Sequence, residues 1–263
     1  MMDPTSRLRR WQLGFGVILR GHSILRRFPQ LRPHFFRPAL FNTLLSTLIF
    51  FVWIWCWWTF SQWTVETVAL SLEPWVWRPL LLVFHILSVL LIGMASAFLA
   101  VVIWRLLQGI LLGPVYADLS LRVEEAMGIP IDELKGASWF QAVPDTLIQI
   151  ALLLAIQLFS LVLHGLPLLG SFLSTVFNFC GTTSLLGLDL FAFPLSARGV
   201  SRWQQLRYMS RHRWHCSGVG TSILLSQAIP ILGGLLTSYA VIGCTELFHE
   251  VEDEDLAETV VNR

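Results

Sequence analysis

Arginine and proline crowd together between Phe28 and Asn42, in the run Phe-Pro-Gln-Leu-Arg-Pro-His-Phe-Phe-Arg-Pro-Ala-Leu-Phe-Asn. Pro33 and Pro38 lack amide hydrogens, and each biases its preceding residue away from helix. The pattern predicts irregular backbone over 28–37, with Pro38 as the first helical residue of the apolar run beyond it. Free N–H groups at the foot of a helix, the positive end of its dipole and the guanidinium groups of Arg32 and Arg37 together suit a small oxyanion. The same residues serve equally well to anchor a helix at phospholipid headgroups.

Other candidates sit in apolar surroundings. Asn42 is the one strongly polar side chain of the apolar run 39–60. In 146–164 and the residues flanking it, Asp145, Gln149, Gln157, Ser160 and His164 fall within about 120° of helical arc. Ser171, Ser174, Thr175, Asn178, Thr182 and Asp189 do the same in 171–190, after a bend at Pro167 and Gly170. Two such stripes on consecutive helices can line a wet pathway, or hydrogen-bond to one another while small residues let the helices approach. Asp189 stands apart because a carboxylate at that depth needs a partner or water. His85 and His164 are intramembrane ionisable groups without a sequence-evident partner. No nucleophile elbow, HExxH or glycine-rich phosphate loop is present, so an enzyme is not expected, and neither a cofactor nor a metal is implied.

The elements that carry these residues are helices of a membrane protein. Of 263 residues, 55% are hydrophobic and only 13% charged, with mean hydropathy +0.65; soluble domains carry about 25% charged residues. Residues 5–27 read as an amphipathic helix on an anionic lipid surface, with Leu8, Trp11, Phe15, Ile18, Leu19 and Leu25 near one face and arginines on the rest. Residues 39–60 are long enough to cross a ~30 Å hydrocarbon layer, and tryptophans from Trp53 to Trp77 mark the far interface. Residues 79–112 return. Gly113-Pro114 breaks that helix, and 115–127 form a short amphipathic helix with Asp118, Glu124 and Glu125 on its polar side and Gly128 at its end. Pro194 closes the helix begun at 171. The basic, aromatic-rich segment 196–216 marks the cytoplasmic side; anionic lipid is a simpler partner for it than nucleic acid. The apolar run 217–248 is split by Pro230 and Gly233-Gly234, and its first limb is too short to cross, so a re-entrant hairpin is expected. The acidic residues at 250–258 read as a solvated, mobile cytoplasmic tail after a single membrane domain, 1–249. The four cysteines read as buried thiols without a disulfide. The expected fold is an all-α integral membrane protein: an amphipathic N-terminal helix, two long transmembrane helices and two helical hairpins that are partly re-entrant, with both termini cytoplasmic.

Four stretches, taken together, resemble one family. They are Phe28-Pro-Gln-Leu-Arg…Arg37-Pro-Ala-Leu-Phe-Asn42; Gly113-Pro-Val…Asp118-Leu…Val123-Glu-Glu125; Leu188-Asp189…Pro194; and Ile229-Pro-Ile…Ala240-Val-Ile-Gly-Cys-Thr245. The chain is similar over residues 12–248 to the CysZ family of bacterial sulfate permeases, related to the eukaryotic etoposide-induced-gene family. The resemblance implies an inner-membrane permease, assembled as a dimer or higher homo-oligomer, that takes up sulfate for cysteine synthesis. The family's Pro-Gly-Leu-Arg signature, implied to bind sulfate, falls on Pro29, Gln30, Leu31 and Arg32. Glutamine replaces the glycine, and Pro33 stands where a second arginine is common. Gln30, Leu31 and Arg32 are therefore the implied substrate-binding positions. Glu124 and Glu125 match an acidic pair implied to belong to a polar core, and Asn42, Gln149, Asn178 and Asp189 complete the expected pathway or core. The alternative in another class is a non-transporting scaffold or lipid-interacting protein that keeps the same fold.

Overall fold

The computed structural model describes residues 4–71, 78–129, 139–166, 169–227 and 230–261. Among them every regular element is helical. The amino-terminal stretch forms two helices, α1 (Pro4–Phe15) and α2 (Val17–Arg27), separated at Gly16 instead of the one expected. A 3-10 turn, Pro29–Leu31, leads into α3 (Arg32–Ser71). Then come α4 (Arg78–Leu107), a π turn at Gln108–Leu112 and α5 (Gly113–Ala126). The hairpin α6 (Trp139–His164) and α7 (Gly170–Ala197), the short α8 (Arg202–Arg211), and the pair α9 (Arg213–Gln227) and α10 (Pro230–Val261) complete the chain. Among the described residues, four helical stretches are long and apolar enough to cross a membrane: 29–64, 102–126, 143–164 and 170–197. At 1.5 Å per residue, α9 reaches only about 22 Å, short of a ~30 Å crossing.

Several boundaries differ from expectation, each for a local reason. The collar at 28–37 is ordered, and Pro38 lies inside α3. Phe35, Pro38, Ala39 and Asn42 are all buried at helical spacing against α10, so packing outweighs the proline signals, and Pro33 sits in the first turn, where a missing N–H costs nothing. Gly113-Pro114 does not interrupt the helix. The π turn just before it absorbs the bond that Pro114 cannot donate. The helix containing Pro194 runs one turn further and stops at Gly199, whose φ of 71° supplies the left-handed residue; Gly199 N–H donates to Ser196 O, and Val200 N–H to Leu195 O. The acidic run continues α10, and Glu250 pairs with Arg20 at 2.6 Å. All four cysteines are free, but only Cys216 and Cys244 are buried; Cys56 and Cys180 are exposed. Trp75, Trp77 and Pro167 lie outside the described residues, as does the side chain of His85.

Glycines set how closely the central helices approach. A Cβ on Gly187 of α7 would strike the Cys216 carbonyl of α9, and one on Gly220 of α9 would strike the Thr183 carbonyl of α7. Gly21 of α2 and Gly243 of α10 oppose the backbones of Tyr239 and Val17 in the same reciprocal way. Small residues at both sides of a crossing let backbones touch, the packing that apolar surroundings favour. The core so formed joins Val17, Ile24 and Leu31 to Val123, Phe191, Val219, Ile242 and Phe248. α3 and α4 pair outward from it, tied by Trp53 Nε1–H to Ser96 Oγ at 3.2 Å and Trp104 Nε1–H to Ser46 Oγ at 3.0 Å. Trp55, Trp58 and Trp63 are exposed toward the far end of α3.

Candidate functional site: an internal cavity at Arg202

The collar does not present bare amides throughout. Leu31 N–H donates to Phe28 O at 3.1 Å, and Arg32 N–H donates to Pro29 O. The Leu31 side chain is 2% exposed and packs in the core. Gln30 and Arg32 are exposed. The two side chains capable of recognising an anion thus face outward while leucine holds the turn in place.

A cavity of about 140 Å³ opens deeper in the fold, well above the ~10–15 Å³ a single water needs. Gln108 from the π turn, Asp145 and Gln149 from α6, Asp189 from α7, Arg202 from α8 and Gln227 from α9 all reach its wall. Arg202 is 8% exposed and comes directly after Ser201, which caps α8 in a reciprocal box with Gln204. Its Nη1 donates to Gln205 Oε1 at 3.1 Å, and its Nη2 lies 3.4 Å from Asp189 Oδ1. Gln205, 1% exposed, is itself fixed by donating to Ser196 Oγ and Val200 O, each at 3.0 Å. Gln149 donates its amide to the other Asp189 oxygen. Arg202 Nε is buried with no partner. A buried guanidinium held by a long ion pair, with a donor to spare beside a largely apolar void, is equipped to accept an oxyanion.

Most of the remaining stripe residues are hydrogen-bonded within the hairpin. Gln157 and Asn178 exchange amide hydrogen bonds at 3.0 Å in both directions. Ser174 Oγ donates to Ser160 O at 2.8 Å and lies 2.6 Å from His164 Nδ1. Thr182 donates to Asn178 Oδ1 at 2.9 Å. The stripes therefore zip α6 to α7, and Asp145, Gln149 and Asp189 are the members that reach the cavity.

Glu124 and Glu125 separate. Glu124 is fully buried, not on the polar face of α5 as expected, because Tyr116, Ser120, Val123 and Glu124 share one inward stripe. Its Oε1 accepts from Arg198 Nη1 at 2.9 Å and lies 3.2 Å from His249 Nε2. Arg198 also donates to Pro194 O and covers the Phe248 ring at 4.7 Å. Glu125 is exposed and pairs with Arg122 at 2.9 Å. Asn42, 1% exposed, donates to Tyr116 Oη at 3.0 Å. These groups build a polar core beside the cavity and not on its open wall, apart from Tyr116. Among the described residues no group of three His, Cys, Asp or Glu could hold a metal ion.

In sequence, Arg202 is one of several equivalent arginines of the basic segment 196–216. The signal that distinguishes it is Ser201-x-x-Gln204, a capping box that fixes where α8 begins and hence where its first side chain emerges.

Helices of this length and apolarity, with no other regular element among the described residues, make this a multi-pass, all-α membrane protein. The chain belongs to the family described as Sulfate transporter CysZ/Etoposide-induced protein 2.4, which matches residues 17–237. No curated protein matches the chain. The matched stretch begins at the first residue of α2 and includes every cavity residue named above.

Proposed function

We propose that the protein is a plasma-membrane permease for a small oxyanion, sulfate first, feeding sulfur assimilation. The observation that carries this reading is Arg202, buried at the wall of an internal cavity in a chain from a family whose description names a sulfate transporter. Arg32 and Gln30 attract the anion at the surface. Arg202 then receives it with charge-assisted hydrogen bonds, Gln149 and Gln108 donating beside it. A dianion cannot enter hydrocarbon without such donors or water. Asp189 holds Arg202 in the empty state, and an anion must displace that carboxylate or bring a proton to it, so transport is passive or proton-coupled. Both arginine-rich regions and both termini face the cytoplasm, and the subunit assembles as a homo-oligomer.

The test is sulfate flux in proteoliposomes with wild type, Arg32→Glu and Arg202→Gln. The expectation is a loss of about ten-fold or more in each variant; undiminished flux in Arg202→Gln removes the cavity from the pathway. The second reading, a non-transporting lipid-interacting scaffold, draws support from Leu19 at 77% and Trp203 at 75% exposure beside basic side chains. Anionic-lipid binding together with no anion flux from the wild type selects it.

A further inference from the structure

A second void of about 300 Å³ lies between α1 and the joint of α8 and α9. It is lined by Arg7 and Arg10 from α1, and by Ser210, Arg211, His212, Arg213, Trp214 and His215. Four arginines and two histidines meet there, and no carboxylate is among the lining residues described. The chain bends at His212, where α8 ends and α9 starts, so the first turn of α9 forms one wall and brings its positive dipole end. Arg213 lies over the Trp214 ring at 5.5 Å, which limits where its guanidinium can point.

His215 is the second, independent observation. It is 1% exposed, it lines this void, and neither ring nitrogen has a hydrogen-bond partner. A buried imidazole with both nitrogens unsatisfied is costly and calls for a missing partner. A phosphate oxygen in the void would accept from the one N–H of the neutral imidazole and from the arginine forks.

We propose that this void is a binding site for a phosphate group, supplied by an anionic lipid headgroup or by free inorganic phosphate. The site is distinct from the Arg202 cavity: α1 supplies Arg7 and Arg10 from outside the family-matched residues 17–237, and the two voids share no lining residue. It does not depend on the permease reading. Leu8 and Phe15 are exposed on α1, which suits a helix lying at a lipid surface.

The experiment measures thermal unfolding of the full chain in two arms. One titrates inorganic phosphate into detergent-solubilised protein, with chloride at matched ionic strength as the blank. The other compares nanodiscs of phosphatidylcholine with nanodiscs also containing phosphatidic acid. Stabilisation in the first arm alone identifies the free ion, in the second alone the headgroup, and in both a site open to either. The Arg7→Gln/Arg10→Gln double variant should need about ten-fold or more ligand for the same effect, and Arg211→Gln should be weakened likewise. Arg9→Gln removes an exposed arginine of the same helix that does not line the void, and should behave as wild type. No stabilisation of wild type in either arm overturns the proposal, as does an Arg9→Gln loss equal to that of the double variant.

Discussion

Two adjacent glutamates show how much a single position decides. Glu124 is wholly buried against Arg198 and His249, whereas Glu125 reaches solvent and pairs with Arg122 along its own helix. Removing one partner from a buried charge pair strands the other, while an exposed pair contributes little. Glu124→Ala is expected to lose about 2–4 kcal/mol of stability and Glu125→Ala less than about 1 kcal/mol, as read by chemical denaturation in detergent. Equal losses would mean that Glu124 is not the anchor of this corner. His215 makes a different claim. Its burial, and then the nearby His212, Arg10 and Arg20, hold its pKa down to about 4, against about 6.5 for an unperturbed histidine. The folded protein therefore keeps it neutral where the unfolded chain binds a proton. Its contribution is complete above pH ~6.5 and is lost as pH falls toward 4, by roughly 3 kcal/mol at the limit. In phosphate-free buffer, stability of the wild type should fall across that window, and the slope should flatten in His215→Gln.

Helices are where the sequence is most readable, and where its limits have clear causes. Length and a 3.6-residue period suffice to identify the α6–α7 hairpin and its two polar stripes, because uncharged runs of that length have few other solutions in a membrane. The carboxyl-terminal split at Pro230 and the stop at Gly128 are legible for the same local reason. The collar misleads because two prolines argue louder in sequence than Phe35, Ala39 and Asn42, whose shared burial depends on α10 some two hundred residues later. The direction of Glu124 depends likewise on partners from distant elements, and the inward turn of Arg202 on Asp189 of the preceding helix. Gly187 and Gly220 belong to this class: nothing local marks them, yet they set the α7–α9 crossing. Gly187→Leu must push the Cys216 backbone away, and is expected to cost about 3 kcal/mol or more. Gly199→Ala meets no neighbour and strains only its left-handed backbone, at about 1–2 kcal/mol. Thermal unfolding midpoints of the two variants test the order, and a Gly187→Leu protein as stable as wild type would mean that the two helices do not touch there.

The whole molecule has a sidedness that its contacts dictate. Arg20 Nη1 meets Glu250 Oε2 at 2.6 Å, and Arg198 Nη1 meets the Glu124 carboxylate that His249 also approaches. The amino-terminal helices, the basic segment after α7 and the end of α10 are therefore gathered at one end of the fold. The 40 residues of α3 run away from that end for about 60 Å, twice a hydrocarbon layer, toward its exposed tryptophans. Clustered arginine favours the cytoplasmic face, so Ser23 and Asp253 should face the cytoplasm and Glu66, near the far end of α3, the opposite side. Single cysteines at these three exposed positions test this in a background with Cys56 and Cys180 changed to serine. Cys216 and Cys244 are fully buried and stay silent. An impermeant maleimide applied to inverted vesicles should label Ser23→Cys and Asp253→Cys, and applied to right-side-out vesicles should label Glu66→Cys. If Ser23→Cys and Asp253→Cys react from opposite faces, the number of crossings between them is odd, and the end of the fold that joins Arg20 to Glu250 does not lie on one side of the membrane.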